Sequence, residues 1–176
     1  MKKLYFLFTL MFAFSIQSQV IITEIADPNN DLQARFIELT NIGDSAFDLT
    51  GYQLVRWTNA NTAYTTSSAV DLSEFGSLQS KGILTLANNT KFETVYGVAP
   101  TKVVGSGGPA DSNGDDNIAI LDPNGSIYDV YGVPGTDGTG QPHEFEDGRA
   151  ERKGSVTAPS STWDLNEWNI DNDAGA

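Results

Sequence analysis

The chain has no cysteine and a single histidine, His143. The first absence removes disulfides, thiolate metal sites and thiol catalysis. The two together remove any zinc site built on paired histidines or thiolates. Basic residues are scarce: ten Lys and Arg stand against 23 Asp and Glu, for a net charge of −13. Nucleic-acid affinity rests largely on Lys and Arg displacing counterions, so no nucleic acid is expected as a partner. The same acidity favours solubility and attracts cationic partners, divalent metals among them. Long apolar runs are missing too. The run Leu4–Ile16 is too short to cross a bilayer. It follows Lys2 and Lys3 and ends at Ile16-Gln17-Ser18, the layout of a secretory signal. Residues 1–18 are therefore expected to be cleaved, leaving Gln19 first. The mature chain is expected outside the cytoplasm, secreted or at the cell surface, with no membrane span.

What is present is period-two alternation broken by turns. Strands are predicted at Val20–Ala26, Phe36–Asn41, Tyr52–Thr58, Gly82–Ala87, Asn117–Leu121 and Ser126–Tyr131. Shorter pieces lie at Phe47–Leu49, Ala69–Leu72 and Lys102–Val104, and Lys91–Tyr96 reads as a helical turn or an irregular connection. Spacing of roughly ten residues suits an antiparallel sandwich rather than βαβ units. Asp122-Pro123-Asn124-Gly125 is a specified hairpin turn: proline presets φ and glycine accepts the positive φ that closes it. After Gly132 the texture changes to the Gly- and Thr-rich VPGTDGTG, then to charged and aromatic sequence. Residues 19–132 read as one domain. Residues 133–176 read as an extension that docks on it through Phe145, Trp163 and Trp168. The ending NIDNDAGA closes no strand, so the parent protein is expected to continue.

The order of these pieces is more specific than any one of them. Two Glu-bearing strands, ITEI and FIELTN, precede GYQL; then come KGILTLAN and GDDNIAILDPNGSIYDVYG. Over Val20–Gly132 this order resembles the lamin tail domain, found on nuclear lamins and on many secreted bacterial proteins. Ser80-Lys81-Gly82 stands where the family usually has a proline-glycine turn. The resemblance implies an all-β, immunoglobulin-like β-sandwich that serves as a binding module. In secreted bacterial members the domain sits beside nucleases, phosphatases or surface-sorting segments and is not itself the catalytic part. Lamin tails carry basic surface, so their chromatin binding is not transferred to this acidic chain.

Four constellations compete for a chemical role. His143 lies in linker-like sequence and no Gly-x-Ser-x-Gly elbow accompanies it, so it is expected at the surface rather than in a triad. Glu24 and Glu38 fall on the alternation of Val20 and Ile22 in one strand and Phe36 in the next. They are expected to be structural carboxylates bonded to loop backbone or to Arg35 or Arg56. Asp111, Asn113, Asp115 and Asp116 place hard oxygen donors at close spacing, as calcium requires. The first half of this loop matches an EF-hand, but Gly114 comes two places early and Asp122 stands where Glu is required. The loop is thus either a looser calcium site or a turn whose side chains bond their own backbone. Trp57, Tyr64, Trp163 and Trp168 form either a stacking platform or core and anchor residues, whereas Phe36, Phe47 and Tyr52 are expected to fill the core.

The expected function is a non-catalytic extracellular or cell-surface binding module for a protein or a cell-surface polymer. Two alternatives stand beside it. One is a metal-assisted hydrolase using Asp111, Asp115 and Asp116. The other is a structural spacer in a longer secreted protein.

Overall fold

The computed structural model describes residues 19–173, so the expected signal segment 1–18 lies outside the described residues. In chain order the elements are β1 (Val20–Ala26), β2 (Phe36–Asn41), β3 (Phe47–Asp48), β4 (Gln53–Trp57), β5 (Val70–Asp71), β6 (Ser77–Leu78) and β7 (Ile83–Ala87). They continue with α1 (Phe92–Tyr96), β8 (Lys102–Val103), β9 (Asn117–Leu121), β10 (Ile127–Tyr131), β11 (Arg149–Arg152) and β12 (Trp168–Asp171). A six-stranded sheet runs β12-β11-β1-β2-β7-β8, a four-stranded sheet runs β10-β9-β4-β5, and β3 pairs with β6 in a small ribbon. Pairing is antiparallel throughout except between β7 and β8. The chain is an all-β, immunoglobulin-like sandwich, as its alternation and its resemblance imply. Among the described residues no helix is long and apolar enough to cross a membrane.

Alternation decides what the two sheets hold between them. Val20, Ile22 and Ile25 of β1, Ile37 and Leu39 of β2 and Leu84 and Leu86 of β7 enter the core from one side. Leu54 of β4, Ile118 and Ile120 of β9 and Tyr131 of β10 enter from the other. Each fully buried Leu or Ile contributes roughly 1.5–3 kcal/mol over its exposed state. A second apolar cluster, Val55, Trp57, Ala119, Leu121 and Val130, lies on the far side of the smaller sheet.

Two β-bulges interrupt the alternation. In β1 the register shifts between Ile22 and Glu24, so Thr23 and Glu24 together oppose the single residue Glu38. Ile22 and Ile25 stay in the core and Glu24 is moved to the outer face. The sequence pattern, carried on without a bulge, would have placed Glu24 with Val20 and Ile22. In β10 the shift falls between Ile127 and Asp129 and leaves Asp129 fully buried.

The segment after Gly132 supplies two strands of the larger sheet. β11 pairs along β1, opposing Glu151 to Glu24 and Ala150 to Ile25, and β12 pairs along β11. Phe145, Ala150 and Trp168 are buried in the main core. None of β6, β11 or β12 is predicted by the sequence pattern. β6 is two residues long, RAER has one apolar residue, and WNID alternates for only four residues.

Candidate functional site

The acidic loop lies where three parts of the chain meet. Asp111 accepts from Arg35 Nη1 at 3.3 Å and Asn88 Nδ2 at 3.0 Å through Oδ1, and from the Gly107 N–H at 2.7 Å through Oδ2. Arg35 also donates through Nε to Asp27 Oδ1 at 2.6 Å, which ties the β1–β2 connection to the loop. Asp116 is fully buried just before β9, where it accepts from Arg56 Nη1 at 2.9 Å and the Asn59 N–H at 2.9 Å. Burial raises its pKa, and the Arg56 guanidinium opposes the rise. The same Arg56 nitrogen donates to the Asp111 carbonyl oxygen. Asp115 Oδ2 accepts from Asn59 Nδ2 at 3.0 Å, and the Asp115 carbonyl oxygen accepts from the Gly138 N–H at 2.8 Å. Gly114 is required here: its φ is +100°, and a Cβ would fall 2.3 Å from Glu146 Cα.

Asp111 is thus held by Arg35 and Asn88, Asp116 by Arg56 and Asn59, and Asp115 by Asn59, while Asn113 is exposed. Among the described residues no three or more His, Asp or Glu are grouped to hold a metal ion. One atom is left over: Asp115 Oδ1 is buried with no hydrogen-bond partner.

Glu24 and Glu38 have other partners than expected. The bulge puts Glu24 on the outer face, directly opposite both Glu38 and Glu151. Glu24 Oε1 lies 3.4 Å from Arg149 Nη1. Its pKa is raised, first by burial and then by the two neighbouring glutamates, while Arg149 lowers it. Glu38 Oε1 accepts from Thr23 Oγ1 at 2.6 Å and Thr40 Oγ1 at 3.3 Å. Arg35 and Arg56, the expected partners, are engaged by Asp27, Asp111 and Asp116.

His143 is a correction to the sequence reading: it is 2% exposed rather than at the surface. Its ring stands edge-on to Trp163 at 5.5 Å and to Tyr131 at 6.5 Å, and Tyr131 Oη donates to its carbonyl oxygen at 2.8 Å. Burial lowers its pKa, which favours the neutral ring. The linker is drawn inward because Phe145, two residues on, fills the core beside Tyr131.

The aromatics divide between the two apolar clusters. Trp168 packs edge-on against Tyr131 at 4.7 Å, and Trp57 packs against Tyr64 at 5.4 Å. Phe47 and Tyr52 stack edge-on at 5.1 Å at the end of the core, whereas Phe36 lies on the outer face against Phe92 and Tyr96.

A buried ion pair was not foreseen in the sequence. Arg152 Nη1 donates to both carboxylate oxygens of Asp129 at 2.9 Å, and Nη2 reaches Glu167 Oε2 at 2.5 Å. The guanidinium also sits 4.9 Å above the Trp168 ring. Asp129 further accepts from the N–H groups of Ile22 and Ser160. The available signal was a lone acid inside the apolar strand IYDVY, which a buried cation has to answer.

Compared with known families, the chain matches the family model described as Lamin Tail Domain over residues 15–135. A search of curated proteins found no match.

Proposed function

The chain belongs to the lamin tail domain family, and from that premise we propose that it works outside the cytoplasm as a binding module for a protein or a cell-surface polymer. At a coarse level the family supports a non-enzymatic interaction domain. The finer reading draws on one observation: two of the three loop acids that would carry hydrolysis, Asp111 and Asp116, are committed to Arg35, Arg56 and backbone N–H groups. Recognition would then fall to the loops and the outer face of the six-stranded sheet. The test is saturable binding of the labelled, purified chain to intact cells and isolated envelope polymers. A low-micromolar isotherm supports the reading. Binding no stronger than that of an acidic control domain overturns it. N-terminal sequencing of the exported product tests the compartment, with Gln19 expected first.

A second reading keeps calcium at one atom of the acidic loop. Asp115 Oδ1 is buried and accepts no hydrogen bond, which is costly for a carboxylate oxygen and favours a cation beside it. Calorimetric titration with calcium decides it. A micromolar isotherm and a raised Tm, both abolished by Asp115→Asn, support the site. No heat and an unchanged Tm overturn it.

A further inference from the structure

The outer face of the six-stranded sheet carries a groove of about 380 Å³ between the β1–β2 strands and the segment 153–157. Its floor is aliphatic, made by Ile21, Ile42 and Val156, and the Thr23 and Thr40 hydroxyls lie beside them. The charged residues that line it are Lys81, Arg152 and Lys153, with no carboxylate among them. That local sign runs against a chain in which 23 acids outnumber ten bases.

The three cations are not equivalent. Arg152 is neutralised in the core by Asp129 and Glu167 and contributes only its stem. Lys81 Nζ donates to the Ile42 carbonyl oxygen at 2.5 Å and lies 3.3 Å from Asp44, and the Lys81 and Asp44 side chains are largely exposed, at 63% and 88%. Such an exposed pair is weak and yields readily to a competing anion. Lys153 Nζ donates to the Asn166 carbonyl oxygen at 2.8 Å and has no carboxylate partner among the described residues. Two ammonium groups are thus available at an aliphatic trough.

We infer that this groove is the docking site for an extended acidic segment of a partner protein. One aliphatic side chain of that segment lies on Ile21, Ile42 and Val156, and its flanking carboxylates pair with Lys81 and Lys153. The inference rests on the reading of the chain as an interaction module. The charge complementarity is short-ranged. At physiological salt, screening over about 8 Å leaves the two lysines effective locally while muting the net negative field. A long polyanion would run onto Glu38 and Asp44, whereas a short segment does not.

The test is an amide chemical-shift titration of the full ¹⁵N-labelled chain at physiological salt. The probe is the capped hexapeptide Glu-Val-Glu-Val-Glu-Val, with its all-Gln and all-Lys counterparts. The Glu peptide is expected to shift the amides of Thr23, Thr40, Ile42, Lys81 and Val156 and to bind at least tenfold more tightly than the Gln peptide. Lys81→Glu with Lys153→Glu is expected to weaken it tenfold or more, while Lys91→Glu on another surface leaves it unchanged. The amide spectrum itself reports that each variant is folded. The inference is overturned if Glu and Gln peptides bind alike, if only the Lys peptide binds, or if the double substitution has no effect. It is equally overturned if a uronic-acid trisaccharide shifts these amides and the peptide does not. A silent groove in a chain that still binds cells or envelope polymers refutes the groove alone. Silence in both refutes the module reading as well.

Discussion

The backbone N–H of Ile22 donates across the sandwich to Asp129 Oδ2 at 2.8 Å. Both residues sit at β-bulges, one in each sheet. The bulge in β1 frees an amide from its ladder, and the bulge in β10 turns a carboxylate inward to receive it. Arg152, arriving from β11, then neutralises that carboxylate. One polar knot thereby joins the two sheets to the segment beyond Gly132.

That knot is expected to be the most sensitive polar feature of the fold. Asp129→Ala leaves an almost wholly buried guanidinium with Glu167 as its one carboxylate and takes the acceptor from the Ile22 and Ser160 N–H groups, at a cost of about 3–5 kcal/mol. Replacing both partners, Asp129→Leu with Arg152→Met, is expected to recover part of the loss: the buried guanidinium is gone, but the Ile22 and Ser160 N–H groups still lack their acceptor. Urea midpoints of the three chains check this.

The sole histidine gives stability a pH slope of definite sign. Unfolded, His143 titrates near 6.5, and burial lowers that value in the folded state. Below 6.5 the unfolded chain takes up the proton first, so the contribution of His143 falls as pH falls. Tm measured from pH 7.5 to 5 is expected to drop, and His143→Phe is expected to lessen the drop.

Asp27 acts in the opposite direction. Burial pushes its carboxyl up to about 6, against the pull of Arg35, from an ordinary value of 3.8. Between those two values the folded state holds the proton that the unfolded state has released. Acidification through that window therefore adds stability, and a rise in pH removes it. Asp27→Asn is expected to abolish this gain, so the variant loses Tm more steeply than the parent between pH 6 and 4.

Truncation after Gly132 removes β11 and β12 together with Phe145, Trp168 and the cation that answers Asp129. The truncated chain is expected to lose cooperative unfolding altogether rather than a few degrees of Tm. Calorimetry and near-ultraviolet circular dichroism check the outcome: a sharp transition retained within several degrees of the parent would contradict it.

Much of the sandwich is legible in the sequence because alternation reports burial directly. FIELTN and NIAIL are strands with the bounds expected of them, and the Pro-Asn-Gly turn closes the β9–β10 hairpin. Bulges are not legible in this way, since a single extra residue leaves composition unchanged while exchanging faces; hence Glu24 was set on the inner alternation. β11 and β12 were hidden for a different reason. Arg152 is buried by virtue of its partners, and no local pattern announces a partner 23 residues away. The Gly-rich stretch before His143 resembles linker and so points to the surface, whereas the burial of His143 comes from Tyr131 and Trp163. The acids of the 111–117 loop were found readily, but their arginine partners lie 55 or more residues away and only the fold discloses them.

The pairing of β1 with β11 joins positions 125 residues apart in the chain, as Glu24 and Arg149 mark. A ribosome that has released β10 has still not released β11, the strand that covers the open edge of β1. The large sheet is therefore completed only after β11 and β12 have emerged, and loop closure over that distance makes the step slow. Until then the amides of β1 and the apolar face behind them stand bare. During that interval the unpaired edge of β1 is open to pairing with another chain.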